Sequence, residues 1–397
     1  MRLIRSLLFF LLLNTSNFAQ DSNFGRPMGV QPDFGVVLDS ALSTHESEGV
    51  NFGLSMLELS ASARIDPLGR AYSIIEFPNA NEVDIPEAVL IFDGLGDGYE
   101  IRAGKMLLDF GKWNTFHNHD LMFPNGDPVR SGLFGGALMG TGLELHRWFA
   151  AGDLPVRFSM GAWPSFQAHS HLHEEEHGEE DTDAHGHAGI SSGIDGERMS
   201  LNHWAYTGRL TSQGDWGPNG VWQFGLSYFG TSAGITSEWE NEADPNDPLF
   251  ADGDSYGLGA QTFGADFSLR SASTSDSSWN SFGLEYWNHS QEHPHAEGNA
   301  QTPEIERQEP QGAWLNAEHG FNPSWSAAVH IGWWEAEHEE VLESNYRYGL
   351  ALNHHLSEFQ RLRFAVEQID WAEQSPDYVL TLQWSGFLGK HRHGLDW

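Results

Sequence analysis

Many segments of this chain alternate apolar and polar residues with a period of two, and the apolar set is rich in aromatic and branched side chains. Trp222, Phe224, Leu226 and Tyr228 alternate with Gln223, Gly225 and Ser227. Phe282, Leu284 and Tyr286 alternate with Ser281, Gly283 and Glu285, and Leu362, Phe364 and Val366 with Arg361, Arg363 and Glu367. Tyr378, Leu380, Leu382 and Trp384 alternate with Val379, Thr381 and Gln383. That period puts one set on each face of a sheet. One apolar face and one polar or charged face suit a strand with lipid outside and water inside. The chain beyond its first residues has no apolar run near the roughly 18 residues that a transmembrane helix needs. If it enters a membrane, it must do so as a closed barrel, because lipid leaves no partner for an unpaired backbone group.

The pattern predicts sixteen strands, near 34–42, 52–65, 68–77, 84–92, 98–108, 137–149, 155–163, 202–212, 220–230, 255–270, 278–290, 309–319, 324–335, 344–355, 360–371 and 377–388. Their connections fall into two classes that take turns along the chain. Short turns are expected at Asp66-Pro67, Asp93 to Asp97, Gly152-Asp153, Gln213 to Asn219, Ser271 to Ser277, Asn322-Pro323 and Ser357-Glu358. Between them lie mostly longer, acidic or histidine-rich stretches at 110–136, 164–201, 231–254, 291–308 and 336–343, with shorter ones at 43–51, 78–83 and 372–376. Outer-membrane barrels have short periplasmic turns and longer external loops. An even strand count then puts both ends on the periplasmic side. A soluble β-sandwich has no reason to segregate its loops in this way. The fold class expected is all-β, a transmembrane antiparallel barrel of about sixteen strands. Trp148, Trp163, Trp204, Trp239, Trp287, Trp333, Trp371 and Trp397 stand at predicted strand ends, where interfacial girdles place such rings.

The first residues agree with export. Arg2 and Arg5 precede the apolar run Leu7 to Leu13, and Ala19 offers a small residue before Gln20, the order of a secretory signal peptide. Residues 1–19 are read as that peptide, 20–33 as a lead-in and 34–397 as the barrel. There is no cysteine, so no disulfide contributes to stability. Lysines number 3 and arginines 17. Without Arg2 and Arg5, 18 basic side chains face 56 acidic ones, a formal charge of −38. Such a field repels nucleic acid and anions and attracts cations.

Two stretches could carry chemistry. The first, 164–201, holds His169, His171, His173, His177, His185 and His187 among Glu174, Glu175, Glu176, Glu179, Glu180, Asp181 and Asp183. Neutral imidazole ligates zinc, copper and nickel, and carboxylates complete or orient such sites. No periodicity fixes a geometry here. The expectation is loose metal contact through His169, His171, His173, His177, His185, His187, Glu174 and Glu175, against a plain reading as a solvated acidic insertion. Thirteen of the 21 histidines fall in or beside the predicted external loops, His45, His117, His119, His289, His293, His295 and His338 among them.

The second stretch is 104–142. It runs Gly104-Lys105-Met106, Asp109-Phe110-Gly111-Lys112 and Asn114-Thr115-Phe116-His117-Asn118-His119-Asp120, and closes with Gly135-Gly136 and Gly140-Thr141-Gly142-Leu143. These residues resemble the phosphate-selective (O and P type) porin superfamily, and within it histidine-rich outer-membrane proteins labelled as zinc-associated receptors. The Ile65-Asp66-Pro67 turn and the Leu388-Gly389 tail with His391 and His393 add to the likeness. The resemblance implies a sixteen-stranded barrel whose loop after strand five folds inward. Here that loop is 110–136, with His117, His119, Asp120 and Asp127 as candidate constriction residues. For His117 and His119, ring contacts that fix the loop to the wall are an equal reading. Phosphate-selective members line their path with basic residues, and the acidic excess of this chain argues against phosphate as its solute. Energy-coupled receptors carry a plug domain ahead of the barrel, and strands are expected here from residue 34 onward.

The function expected is an outer-membrane channel for passive diffusion of small solutes or metal ions, cation-leaning and associated with zinc or another divalent metal. The alternative is a surface protein that captures zinc and conducts little. No serine beside a histidine singles itself out as a nucleophile, so no enzyme is expected. No cofactor is required, and zinc or another divalent metal is the candidate ligand of the loop histidines. The partners expected are outer-membrane lipid and, by analogy with porins, two further copies in a homotrimer.

Overall fold

A computed structural model describes residues 32–45, 49–78, 83–169, 200–239, 253–274, 277–295, 304–338, 341–372 and 374–389. The expected signal peptide, most of the lead-in, and residues 170–199 and 390–397 lie outside these.

The order is β1 (Asp33–His45), β2 (Gly49–Asp66), β3 (Gly69–Phe77), β4 (Asp84–Phe92) and β5 (Tyr99–Leu107). A long connection follows, with one 3-10 turn (Asn118–Asp120) and one short helix, α1 (Pro128–Phe134). The chain continues with β6 (Ala137–Ala151), β7 (Leu154–His169), β8 (Ala205–Asp215), β9 (Gly220–Trp239), β10 (Gly253–Ala272) and β11 (Trp279–His295). It ends with β12 (Glu304–Gln308), β13 (Gln311–Asn322), β14 (Trp325–His338), β15 (Val341–Ser357), β16 (Gln360–Asp370) and β17 (Asp377–Gly389). Each pairs antiparallel with its neighbours, and β1 pairs with β17 from Gly35↔Gly389 to His45↔Val379, which closes the ring. The segments β12 and β13 both pair with β11, end to end, and together form one wall position. The result is a closed antiparallel barrel of sixteen strands.

All sixteen expected strands are present, and several run further than expected. β11 continues to His295 and β12 begins at Glu304, inside the stretch read as loop 291–308. Likewise β9 and β10 stay paired out to Trp239↔Gly253. The backbone ladder does not need the apolar alternation that marked the strands in sequence, so it continues past the point where that alternation fades.

Burial is inverted relative to a water-soluble protein. In β17, Leu380, Leu382 and Trp384 are exposed while Thr381, Gln383 and Ser385 are buried. In β15, Tyr346, Tyr348, Leu350 and Leu352 point out, and Asn345, Arg347 and Asn353 point in. A contiguous apolar exterior around a polar interior is the pattern of a lipid-facing barrel. Short turns are set by side chains: Asp66 accepts the N–H groups of Leu68 (2.8 Å) and Gly69 (2.9 Å), and Asn322 those of Ser324 (2.9 Å) and Trp325 (3.1 Å).

The girdle expectation divides. Trp148 is exposed, but Trp163 and Trp287 are buried on the inner face. Trp163 donates to Thr207 Oγ1 at 2.9 Å, and Trp287 stacks on Phe110 with ring centroids 4.6 Å apart. Position near a strand end does not decide which face a ring takes; the pleat does.

Candidate functional site

The connection 108–136 reaches wall residues all around the ring. Its two ends are stapled by one side chain: Asn114 Nδ2 donates to the carbonyls of Leu108 (2.9 Å) and Leu138 (2.8 Å), and its Oδ1 accepts Leu138 N–H (2.8 Å). From there the backbone of Gly111 donates to Ser227 on β9 at 3.0 Å, and those of Lys112 and Trp113 donate to Glu285 on β11. Gly111 has φ +76, and a Cβ there would meet the Trp287 ring at 2.5 Å, so glycine is required twice over. Arg361 and Arg363 on β16 donate to the carbonyls of His119 and Leu121, and Asn125 donates to Glu367 and Thr381. The rings of Phe134, Phe229 and Trp287 pack around Phe110, and Phe123 stacks on His330 at 4.0 Å.

The constriction candidates take different places. Asp127 is the N-cap of α1, where its carboxylate accepts the N–H groups of Val129 (3.0 Å) and Arg130 (3.2 Å). Gly135, at φ 77, ends that helix in the left-handed conformation. Asp120 borders a cavity of about 900 Å³ shared with Arg70, Arg102, Lys112, Arg157 and Glu318. His117 and His119 are fully buried, their rings stacked with centroids 5.7 Å apart.

Three carboxylates that the sequence reading did not single out surround His117. Its Nδ1 lies 2.8 Å from Glu76 Oε1 and 3.5 Å from Glu58 Oε2, and its Nε2 lies 3.2 Å from Glu87 Oε1. Glu87 also accepts the Tyr72 hydroxyl at 2.6 Å. His119 Nδ1 stands 3.8 Å from Glu58 Oε2. Burial works against a charge on His117, but Glu58, Glu76 and Glu87 outweigh it and hold the imidazole protonated well above the ordinary histidine range. Lys112 goes the other way. Burial, aided by Arg209 and Arg157, pulls its ammonium down to about 7 against the opposing pull of Asp266 and Glu285.

Elsewhere on the inner face, carboxylates meet guanidinium groups. Asp109 accepts from Arg157 (2.9 Å) and Ser159 (2.6 Å), with Arg209 Nε 3.5 Å away, and Arg209 forks onto Asp266 at 2.6 and 3.1 Å. Of the loop metal candidates, His169 ends β7 opposite Ala137, with its side chain outside the described atoms. His171, His173, His177, His185, His187, Glu174 and Glu175 lie outside the described residues altogether. His289, expected beside an external loop, is buried and contacts Thr262 Oγ1 at 2.8 Å.

No protein-family model matches the chain. An uncharacterized protein of Aquifex aeolicus (strain VF5) is 29% identical over 116 residues, which span 29% of this chain and 24% of that protein. Solved structures share the fold across almost the whole chain. The loop-L8 deletion mutant of OmpT, an outer-membrane protein of Vibrio cholerae, superposes with TM-score 0.55 at 10% identity, covering 90% of this chain and 99% of that one. OmpT described in trimer form gives 0.54 at 8% identity, with coverage of 90% and 99%. The anion-selective porin from Comamonas acidovorans gives 0.52 at 11% identity, with coverage of 90% and 100%. The fold is that of the outer-membrane porins.

Proposed function

We propose that this protein is an outer-membrane porin, a passive diffusion channel for small solutes that favours cations. The observation that carries the reading is the inverted barrel itself: an apolar exterior, a charged interior and a cavity of about 900 Å³ beside a connection bonded across the ring. In this reading 108–136 is the constriction, and small polar solutes pass beside it. Selectivity is supported by where the charges stand in the chain. Segments 170–199 and 240–252 hold fourteen Asp and Glu against one Arg, whereas eleven of the 17 arginines lie in strands. An acidic excess of this kind in the connections concentrates cations and repels anions. The anion-selective relative shares this barrel, so selectivity is a property of side chains and not of the fold. Loop histidines 169–187 add loose affinity for zinc or another divalent metal, and assembly is as a homotrimer, the form in which OmpT is described.

Planar-bilayer recordings test this. Folded protein under a potassium chloride gradient is expected to give open channels with a reversal potential of cation sign. Absence of conductance from correctly folded protein would overturn the channel, and an anion-sign potential would overturn its selectivity.

A further inference from the structure

We infer that Glu58, Glu76 and His117 form a binding site for one divalent transition-metal ion within the barrel. Among the described residues, these three bring ligand atoms within 4.8 Å of one another. Zinc bonds nitrogen and carboxylate oxygen at roughly 2.0–2.2 Å in tetrahedral geometry, so neighbouring ligand atoms stand about 3.3–3.6 Å apart; the 3.5 Å His117–Glu58 pair already has that spacing, and the 2.8 Å His117–Glu76 pair reaches it by a small side-chain rotation. Glu58 and Glu76 are direct partners across the β2–β3 ladder, and both are buried. Like charges directly opposite each other on a sheet oppose pairing. A cation placed between them relieves that repulsion.

The ring of His117 is oriented for this role. Glu87 sits 3.2 Å from Nε2, on the edge of the ring away from Glu58 and Glu76. A carboxylate that takes the far N–H of a histidine orients the ring, a pairing that recurs at metal sites, and the ion binds the near nitrogen in exchange for its proton. Here the near nitrogen is Nδ1, which faces Glu76 at 2.8 Å and Glu58 at 3.5 Å. Tyr72 holds Glu87 in turn. His119, stacked on His117 with Nδ1 3.8 Å from Glu58 Oε2, stands one rotation from a fourth ligand position. Asp120, 3.7 Å from His119 Nε2, borders the 900 Å³ cavity, which brings that cavity within one residue of the stacked imidazoles. One imidazole with two carboxylates suits zinc, cobalt, iron or manganese in preference to magnesium, which keeps its waters. The inference takes from the proposed function only that these residues face the barrel interior.

The test uses full-length protein and a variant lacking 169–187, so that loop histidines do not contribute. Cobalt(II) absorption and zinc calorimetry are the readouts, with heat-modifiable gel mobility as the check on folding. The loop-deleted protein is expected to bind one equivalent of zinc and to give a cobalt spectrum with nitrogen and oxygen ligands. In that background E58Q/E76Q should weaken zinc binding at least 100-fold. Glu87→Gln, which alters the group that orients His117, should weaken it by about 10- to 100-fold. Loss of all stoichiometric binding on deleting 169–187 would overturn the inference, as would E58Q/E76Q binding zinc unchanged. If E58Q/E76Q fails to fold, the ligand count decides: X-ray absorption of the zinc-loaded deletion variant must show one or two imidazoles among oxygens, and a histidine-free shell refutes the site. A chain that binds metal here without conducting keeps the site and loses the channel; one that conducts without binding does the reverse.

Discussion

The wall of β2, β3 and β4 and the wall of β7 to β10 both bury carboxylates, but they meet different cations. On the second wall Asp109 and Asp266 are held by Arg157 and Arg209, whose charge is permanent. On the first, Glu58, Glu76 and Glu87 gather on His117, whose positive charge is a removable proton. An arginine-held wall is locked under all physiological conditions. An imidazole-held wall can exchange its cation for another. The long connection is fastened to both, through Asp109 at one end and His117 further on, so one face is structural and the other is open to chemistry.

The comparison can be broken most forcefully at Arg209. Arg209→Met leaves Asp266 without its fork and deprives Asp109 of a second cation, and removal of one partner from a buried pair costs about 3–5 kcal/mol. A urea unfolding midpoint in detergent or bilayers should fall accordingly; an unchanged midpoint would mean that this wall is not locked by its ion pairs. A smaller effect is expected at Asn114. Asn114→Ala removes three hydrogen bonds that close the connection on itself, about 1–3 kcal/mol of local stability. The barrel should stay folded while the connection loosens, read as a larger and noisier single-channel conductance and as faster tryptic cleavage after Lys112. The smallest effect is a pH step. Lys112 is charged below about 7 and neutral above it, whereas in the unfolded chain it stays charged to about 10.4. Between those values the unfolded state binds more protons, so stability rises with pH across that window. Over the same crossing of pH 7 the interior loses one positive charge. Reversal potentials measured from pH 6 to 8 should drift toward cation preference, and Lys112→Met should abolish the drift.

Much of the site could have been reached by following the strand faces. Glu58 and Glu76 stand on the inner faces of adjacent strands, with Leu57 and Leu59 on the outer face of β2, and Glu87 shares the inner face of β4 with Val89 and Ile91. What stood in the way was register. Counting back from the Asp66-Pro67 turn with even pairing places Glu58 opposite Phe77. A bulge between Arg64 and Asp66 shifts the ladder by one and places it opposite Glu76. A slip of one residue exchanges the faces, so nothing short of the observed pairing reveals two buried acids side by side. Asp127 follows a local rule instead. An acidic residue before Pro128 is an ordinary helix start, and its Oδ1 caps α1.

The sequence by itself determined the class of fold, the number of strands and the alternation of short and long connections. These depend on a local period of two and on turn chemistry within a few residues, which are visible in a linear reading. Tertiary structure alone decided that 108–136 bonds across the ring, that Trp163 and Trp287 face inward, and that His117 meets Glu76 and Glu87, 41 and 30 positions away in the chain. Those contacts exist only once the barrel has closed and one connection has been laid across it, and no local rule encodes which distant carboxylate an imidazole will meet.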